Sequence, residues 1–152
     1  MSVAVPSLPL TATELSDLAV KARNSAEQDR MIAQNVHAAL PELLLEGTAP
    51  LETQRQAARL LANLAFQPPN KIVITEAGAV EATLAAMRGY PRAAGFQQMG
   101  RTLLHNVSAF TPSGLLRCND GGAKAVAIAA RNTHLNNEDV TIQADTVIGL
   151  LA

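Results

Sequence analysis

Apolar residues recur at steps of three and four through most of this chain. Between Gln54 and Phe66 they fall at Ala57, Leu60, Leu61, Leu64 and Ala65, a single helical stripe. Pro68-Pro69 breaks the pattern, because the proline ring lacks an N–H and restricts the residue before it. A short helix carrying Ile72, Val73 and Ile74 follows. Gly78 permits a tight corner into a third helix, Ala79 to Met87. One such unit cannot bury its apolar faces alone, so the decisive question is whether it repeats.

It repeats with a period near 43. Ala57-x-x-x-Leu61-x-Asn63-Leu64 returns 43 residues later as Gly100-x-x-x-Leu104-x-Asn106-Val107, and 44 after that as Ala144-x-x-x-Ile148-x-Leu150-Leu151. Val80 to Arg88 returns as Ala123 to Arg131, each copy following glycine (Gly78, then Gly121-Gly122). Helical periods of roughly 40–47 residues belong to stacked helical arrays.

The remaining elements fit that frame. Residues 1–10 read as an extended leader. Thr11-x-x-Glu14 and Ser25-x-x-Gln28 are capping boxes that predict helices starting beside them. A further helix is predicted from about Ala38 to Glu46, ended by Gly47, with Pro41 near its start. Leu40 aligns with Val80, which makes 11–49 a degenerate N-terminal unit. Thr48-Ala49-Pro50 opens a helix reaching Phe66, so 50–92 is one repeat. A long helix over Ala94 to Phe110, a short one from Thr111-Pro112 to Cys118, and one over Ala123 to Arg131 make 93–135 the next. Asn136 or Asn137 caps the last helix, with Glu138 and Asp139 favourably placed in its first turn, so 136–152 starts a further, truncated repeat. Its apolar run has no polar cap, which predicts a fragment of a longer array or an end that docks.

Composition narrows the class. Hydrophobic residues are 48% and charged residues 16%, a globular balance. Aromatics are 3% and Trp is absent, which suits thin layers of Leu, Ala, Ile and Val. A net charge of −1 favours neither nucleic acid nor an anionic membrane. No apolar run approaches the roughly 18 residues of a spanning helix, and the first ten residues lack a basic segment. With one cysteine, Cys118, no internal disulfide can form. A cytoplasmic location, with the nucleus as the variant, is the expectation.

At Ala57-x-x-x-Leu61-x-Asn63-Leu64 and Asn70-x-x-x-Ile74-x-x-x-Gly78-Ala79-Val80 the sequence resembles the armadillo repeat family, well over 50–152 and weakly over 11–47. HEAT repeats are the nearest competitor; the glycine and the Leu-x-Asn-Leu favour armadillo, because they imply three helices per unit. The resemblance implies an all-α, armadillo-type right-handed α-solenoid whose long helices line a concave groove. It also implies that an Asn late in the long helix grips the backbone of an extended ligand. Asn63 and Asn106 match that position and Leu150 does not. The implied groove is Gln56, Arg59 and Asn63, then Met99, Thr102 and Asn106, then Gln143, Thr146 and Leu150, each set on one face. Importin-α-type receptors place Trp four residues before the Asn. Arg59 and Thr102 stand there instead, which disfavours basic nuclear-import signals.

Two readings of Asn63 and Asn106 stand side by side: a ligand-gripping amide, or an amide that bonds a neighbouring repeat. Arg55, Arg59 and Arg101 have two readings, contact with an acidic ligand or a solvated face, and solvation is the favoured one for each. His37, His105 and His134 have no metal-ligand spacing, and His105 reads as a packing residue. Cys118 has no base at a recognisable spacing and reads as a helix-end thiol. Gly121-Gly122 follows a helix and reads as a turn. No triad, metal set or cofactor loop is present in the sequence, so no cofactor is expected. The expectation is a non-catalytic scaffold binding a protein or peptide. The first alternative is a structural module, part of a longer solenoid or self-associating through the apolar C-terminal helix; the second is an α-helical enzyme, which would need a convergent polar pocket.

Overall fold

The computed structural model describes residues 10–45, 49–109 and 111–151, with only the backbone of Gln143. Expectations for residues 1–9, Glu46, Gly47, Thr48, Phe110 and Ala152 lie outside it. The described residues form ten α-helices and no strand: α1 (Ala12–Lys21), α2 (Ser25–Ala33), α3 (Val36–Leu43), α4 (Leu51–Leu64), α5 (Pro68–Glu76), α6 (Ala79–Gly89), α7 (Ala94–Ser108), α8 (Pro112–Asp120), α9 (Ala123–Thr133) and α10 (Glu138–Leu150). Among the described residues, no helix is long and apolar enough to cross a membrane.

The order is one triplet repeated. α1, α4, α7 and α10 pack side by side in sequence order, and each of the first three is followed by a short helix and then a return helix. Leu15, Leu60, Leu61, Leu103 and Leu104 are fully buried at the centre of the stack, each stabilising by about 1.5–3 kcal/mol. The all-helical, repeat-like architecture is compatible with an α-solenoid.

The corner into each return helix takes the left-handed conformation. Gly78 has φ 91° and Gly122 has φ 77°, where a side chain would be strained. Asn35, 43 residues before Gly78, adopts φ 58° in the same place. Asn is the residue that tolerates this region best after glycine, so the weakly matching first third turns the same corner with a different residue.

Helix starts follow local chemistry. Thr11 and Glu14 form the expected reciprocal capping box. The second start differs from expectation: Asn24 caps α2, its Oδ1 accepting from Ala26 N and Glu27 N. Gln28 closes no box at Ser25: its Oε1 accepts from Gln67 Nε2 at 2.9 Å and its Nε2 donates to Ala22 O at 2.6 Å. α3 begins at Val36, two residues early, which places Pro41 inside it. Pro68 and Pro112 occupy first-turn positions, where the missing N–H costs nothing. Asn137 caps α10 by accepting from Val140 N at 3.2 Å.

Candidate functional site

The last carbonyls of an α-helix have no partner within it. In this stack, neighbouring helices supply the donors. Asn63 Nδ2 donates to Ala19 O of α1 at 2.9 Å, and Asn106 Nδ2 donates to Ala62 O of α4 at 3.0 Å. Both bonds span 44 residues, so α1 is capped from α4 and α4 from α7. Asn70 Nδ2 takes Leu64 O at 3.0 Å. Lys71 Nζ takes Ala65 O at 2.7 Å and Asn106 O at 2.8 Å, tying α4, α5 and α7 together. Burial pushes the Lys71 pKa down, because removing an ammonium from water penalises its charged form.

This bonding realises the neighbour-repeat reading of the two asparagines, and it leaves chemistry to spare. Each amide uses one N–H; its Oδ1 has no partner among the described residues. Asn63 and Asn106 line a recess of about 470 Å³ with Arg23, Phe66 and Thr102. Phe66 is 77% exposed just past the end of α4. A second recess of about 220 Å³ is lined by Arg101, Thr102, His105 and Thr146. The two share Thr102, and neither lining contains a carboxylate.

The other expected groove positions divide. Thr146 sits exposed on α10, its Oγ1 donating to Ile142 O at 3.0 Å. Gln56 is buried and bonded along its own helix, to Glu52 Oε1 at 2.9 Å and from Arg59 Nη1 at 3.4 Å. It lines a separate recess with Ala12, Asp17 and Glu52 rather than joining Asn63. Hydrogen bonds from Arg55 and Gln56 hold the Glu52 carboxyl down at about 2. Arg59 is half-buried, and Met99 packs against the core. The side chain of Gln143 lies outside the described residues.

Arg101 corrects an expectation. It is not on a solvated face: it is 0% exposed, and Nε, Nη1 and Nη2 have no hydrogen-bond partner among the described residues. The reason is its register. Ala58, 43 residues earlier, is also fully buried, so this position faces the stack. Burial pulls the Arg101 pKa down to about 10.

No protein-family model and no curated protein matches this chain. Its backbone is similar to that of an engineered protein, a crystal structure from the Northeast Structural Genomics Consortium. The TM-score is 0.80 at 21% sequence identity, over 91% of this chain and 55% of that one. The chain therefore spans about half the length of that protein, and the likeness supports the all-helical fold alone.

Phe66, Arg23 and His105 were not among the expected site residues. Phe66 carried a readable signal, an aromatic in a chain with 3% aromatics, placed where the helical stripe stops before Pro68. Cys118 is buried in α8, and burial together with Glu81 pushes its thiol up to about 12. Almost none of it is thiolate at neutral pH. Among the described residues, no group of His, Cys, Asp and Glu could hold a metal ion.

Proposed function

We propose that this chain is a non-catalytic binding module of armadillo type, a right-handed solenoid that holds an extended protein segment across α4, α7 and α10. The observation that carries the reading is the pair of recesses meeting at Thr102, bordered by Asn63, Asn106, Thr146 and the exposed Phe66 ring. The amide oxygens of Asn63 and Asn106 can accept from the N–H groups of an extended backbone. An exposed aromatic beside them is the residue type that dominates interface energetics.

Asn63 and Asn106 also cap neighbouring helices, so their removal confounds binding with stability. The cleaner test selects displayed peptides on the intact chain and titrates the winners against Phe66→Ala and Thr102→Trp. Phe66 is mostly solvated, so its truncation leaves the fold intact. The expected result is unchanged far-UV circular dichroism with binding weakened about tenfold or more. Selected peptides that bind both variants like the parent chain contradict the proposal.

One observation favours a second reading, a structural module. Ile142 is 55% exposed on α10, and Leu150 and Leu135 are also exposed. Sedimentation velocity over a range of concentrations separates the two: reversible self-association lost in Ile142→Glu supports assembly through α10, and a strict monomer supports the peptide-binding reading.

A further inference from the structure

A buried guanidinium without acceptors is costly, because its hydration is lost and nothing replaces it. Arg101 is in that state, and it lies against the smaller recess. Four features of that recess point to one ligand chemistry. Its lining among the described residues is Arg101, Thr102, His105 and Thr146, with no carboxylate; Thr102 and Thr146 already donate to Gln98 O and Ile142 O, so Arg101 and His105 supply the donors. The recess it adjoins adds Arg23, again with no carboxylate in its lining. The nearby carboxylate Asp145 is engaged elsewhere, accepting from Arg131 Nη1 at 3.0 Å. The α7–α10 contact also lacks the amide cap seen at the two preceding contacts, since Leu150 stands where Asn106 and Asn63 stand.

We infer that the partner segment is acidic, and that one of its carboxylate side chains seats between α7 and α10 on the guanidinium of Arg101, with Thr102, His105 and Thr146 at the mouth. The inference rests on the peptide-binding reading above and adds the partner's chemistry to it. A guanidinium and a carboxylate match in planar, bidentate geometry, and the pair is strongest where water is excluded.

The test uses the full chain and two fluorescent decapeptides, a Ser-Glu repeat and its Ser-Gln counterpart. The Glu peptide is expected to bind about tenfold or more tighter than the Gln peptide. Arg101→Met should abolish that preference, and Arg101→Lys should keep only part of it. A second readout needs no variant: the Nε–Hε resonance of Arg101 should move saturably with the Glu peptide and stay put with the Gln peptide. An unmoved resonance, or a preference that survives Arg101→Met, overturns the assignment. Equal binding of both peptides, lost on Phe66→Ala, overturns the acidic preference while the groove reading stands. If neither decapeptide binds up to about 1 mM while displayed peptides do, the acidic preference also fails; if no peptide of any kind binds, the groove reading falls with it.

Discussion

The contact between α4 and α7 and the contact between α7 and α10 are built from the same pattern, and they end up differently. At the first, Asn106 caps Ala62 O and Lys71 bridges Ala65 O to Asn106 O. Lys71 Nζ and the three carbonyls named there all have partners. At the second, Leu150 supplies no amide, Arg101 has no acceptor among the described residues, and a recess of about 220 Å³ remains. A repeat array can thus use one register position as a clamp in one rung and as an open seat in the next. Small substitutions decide which: Ala58 becomes Arg101, and Asn106 becomes Leu150.

The corner after each long helix makes the same point. Lys71 reaches Ala65 O across the α4–α5 corner. Its counterpart 43 residues on is Gly114, where an added Cβ would lie 2.1 Å from Val107 O. The second corner closes backbone against backbone instead of through a side chain. The largest expected effect is therefore Gly114→Ala, which should destabilise by about 3 kcal/mol or more, because the clash is with main chain and cannot relax by rotation. Urea denaturation checks it; an unchanged midpoint breaks the comparison.

Arg101→Met should act in the opposite direction. Replacing an unpaired buried cation with an apolar side chain of similar length is expected to stabilise by about 2 kcal/mol, read as a rise in Tm of about 5 °C. A fall in Tm would mean that Arg101 is paired in solution. Asn106→Ala should cost about 1.5 kcal/mol, leaving Ala62 O without its donor. Lys71→Gln should cost less, about 0.5 kcal/mol, because Gln28 already performs the equivalent task at Ala22 O.

The smallest effect is a pH dependence from the far end of the stack. His37 in α3 is buried, and desolvation lowers its pKa below 6.5. Above that value both folded and unfolded imidazoles are neutral, so stability is flat. Below it the unfolded chain takes up a proton that the folded chain resists, so stability falls as pH drops. His37→Gln should flatten that slope in denaturation curves measured from pH 8 down to about 5.

Much of the fold was legible because its signals are local or periodic: the 43-residue spacing, the proline-opened short helices and the glycine corners. Asn35 was missed because the reading sought glycine at the corner, although the left-handed conformation is what repeats. The site was less legible, since side-chain partners cross helices. Gln56 looked like a groove residue by spacing, yet Glu52 and Arg59, one turn on either side, close on it. Arg101 looked solvated because charge usually means surface; the apolar Ala58 one period earlier was the sequence sign against that, and in the structure it is fully buried.

The inequality of the two contacts is best tested by hydrogen exchange on the full chain, with and without the Ser-Glu decapeptide. Amides of α10 should exchange faster than those of α4 in the free chain, and the peptide should slow exchange in α7 and α10. Equal protection of α4 and α10, or peptide protection confined to other helices, would contradict the account.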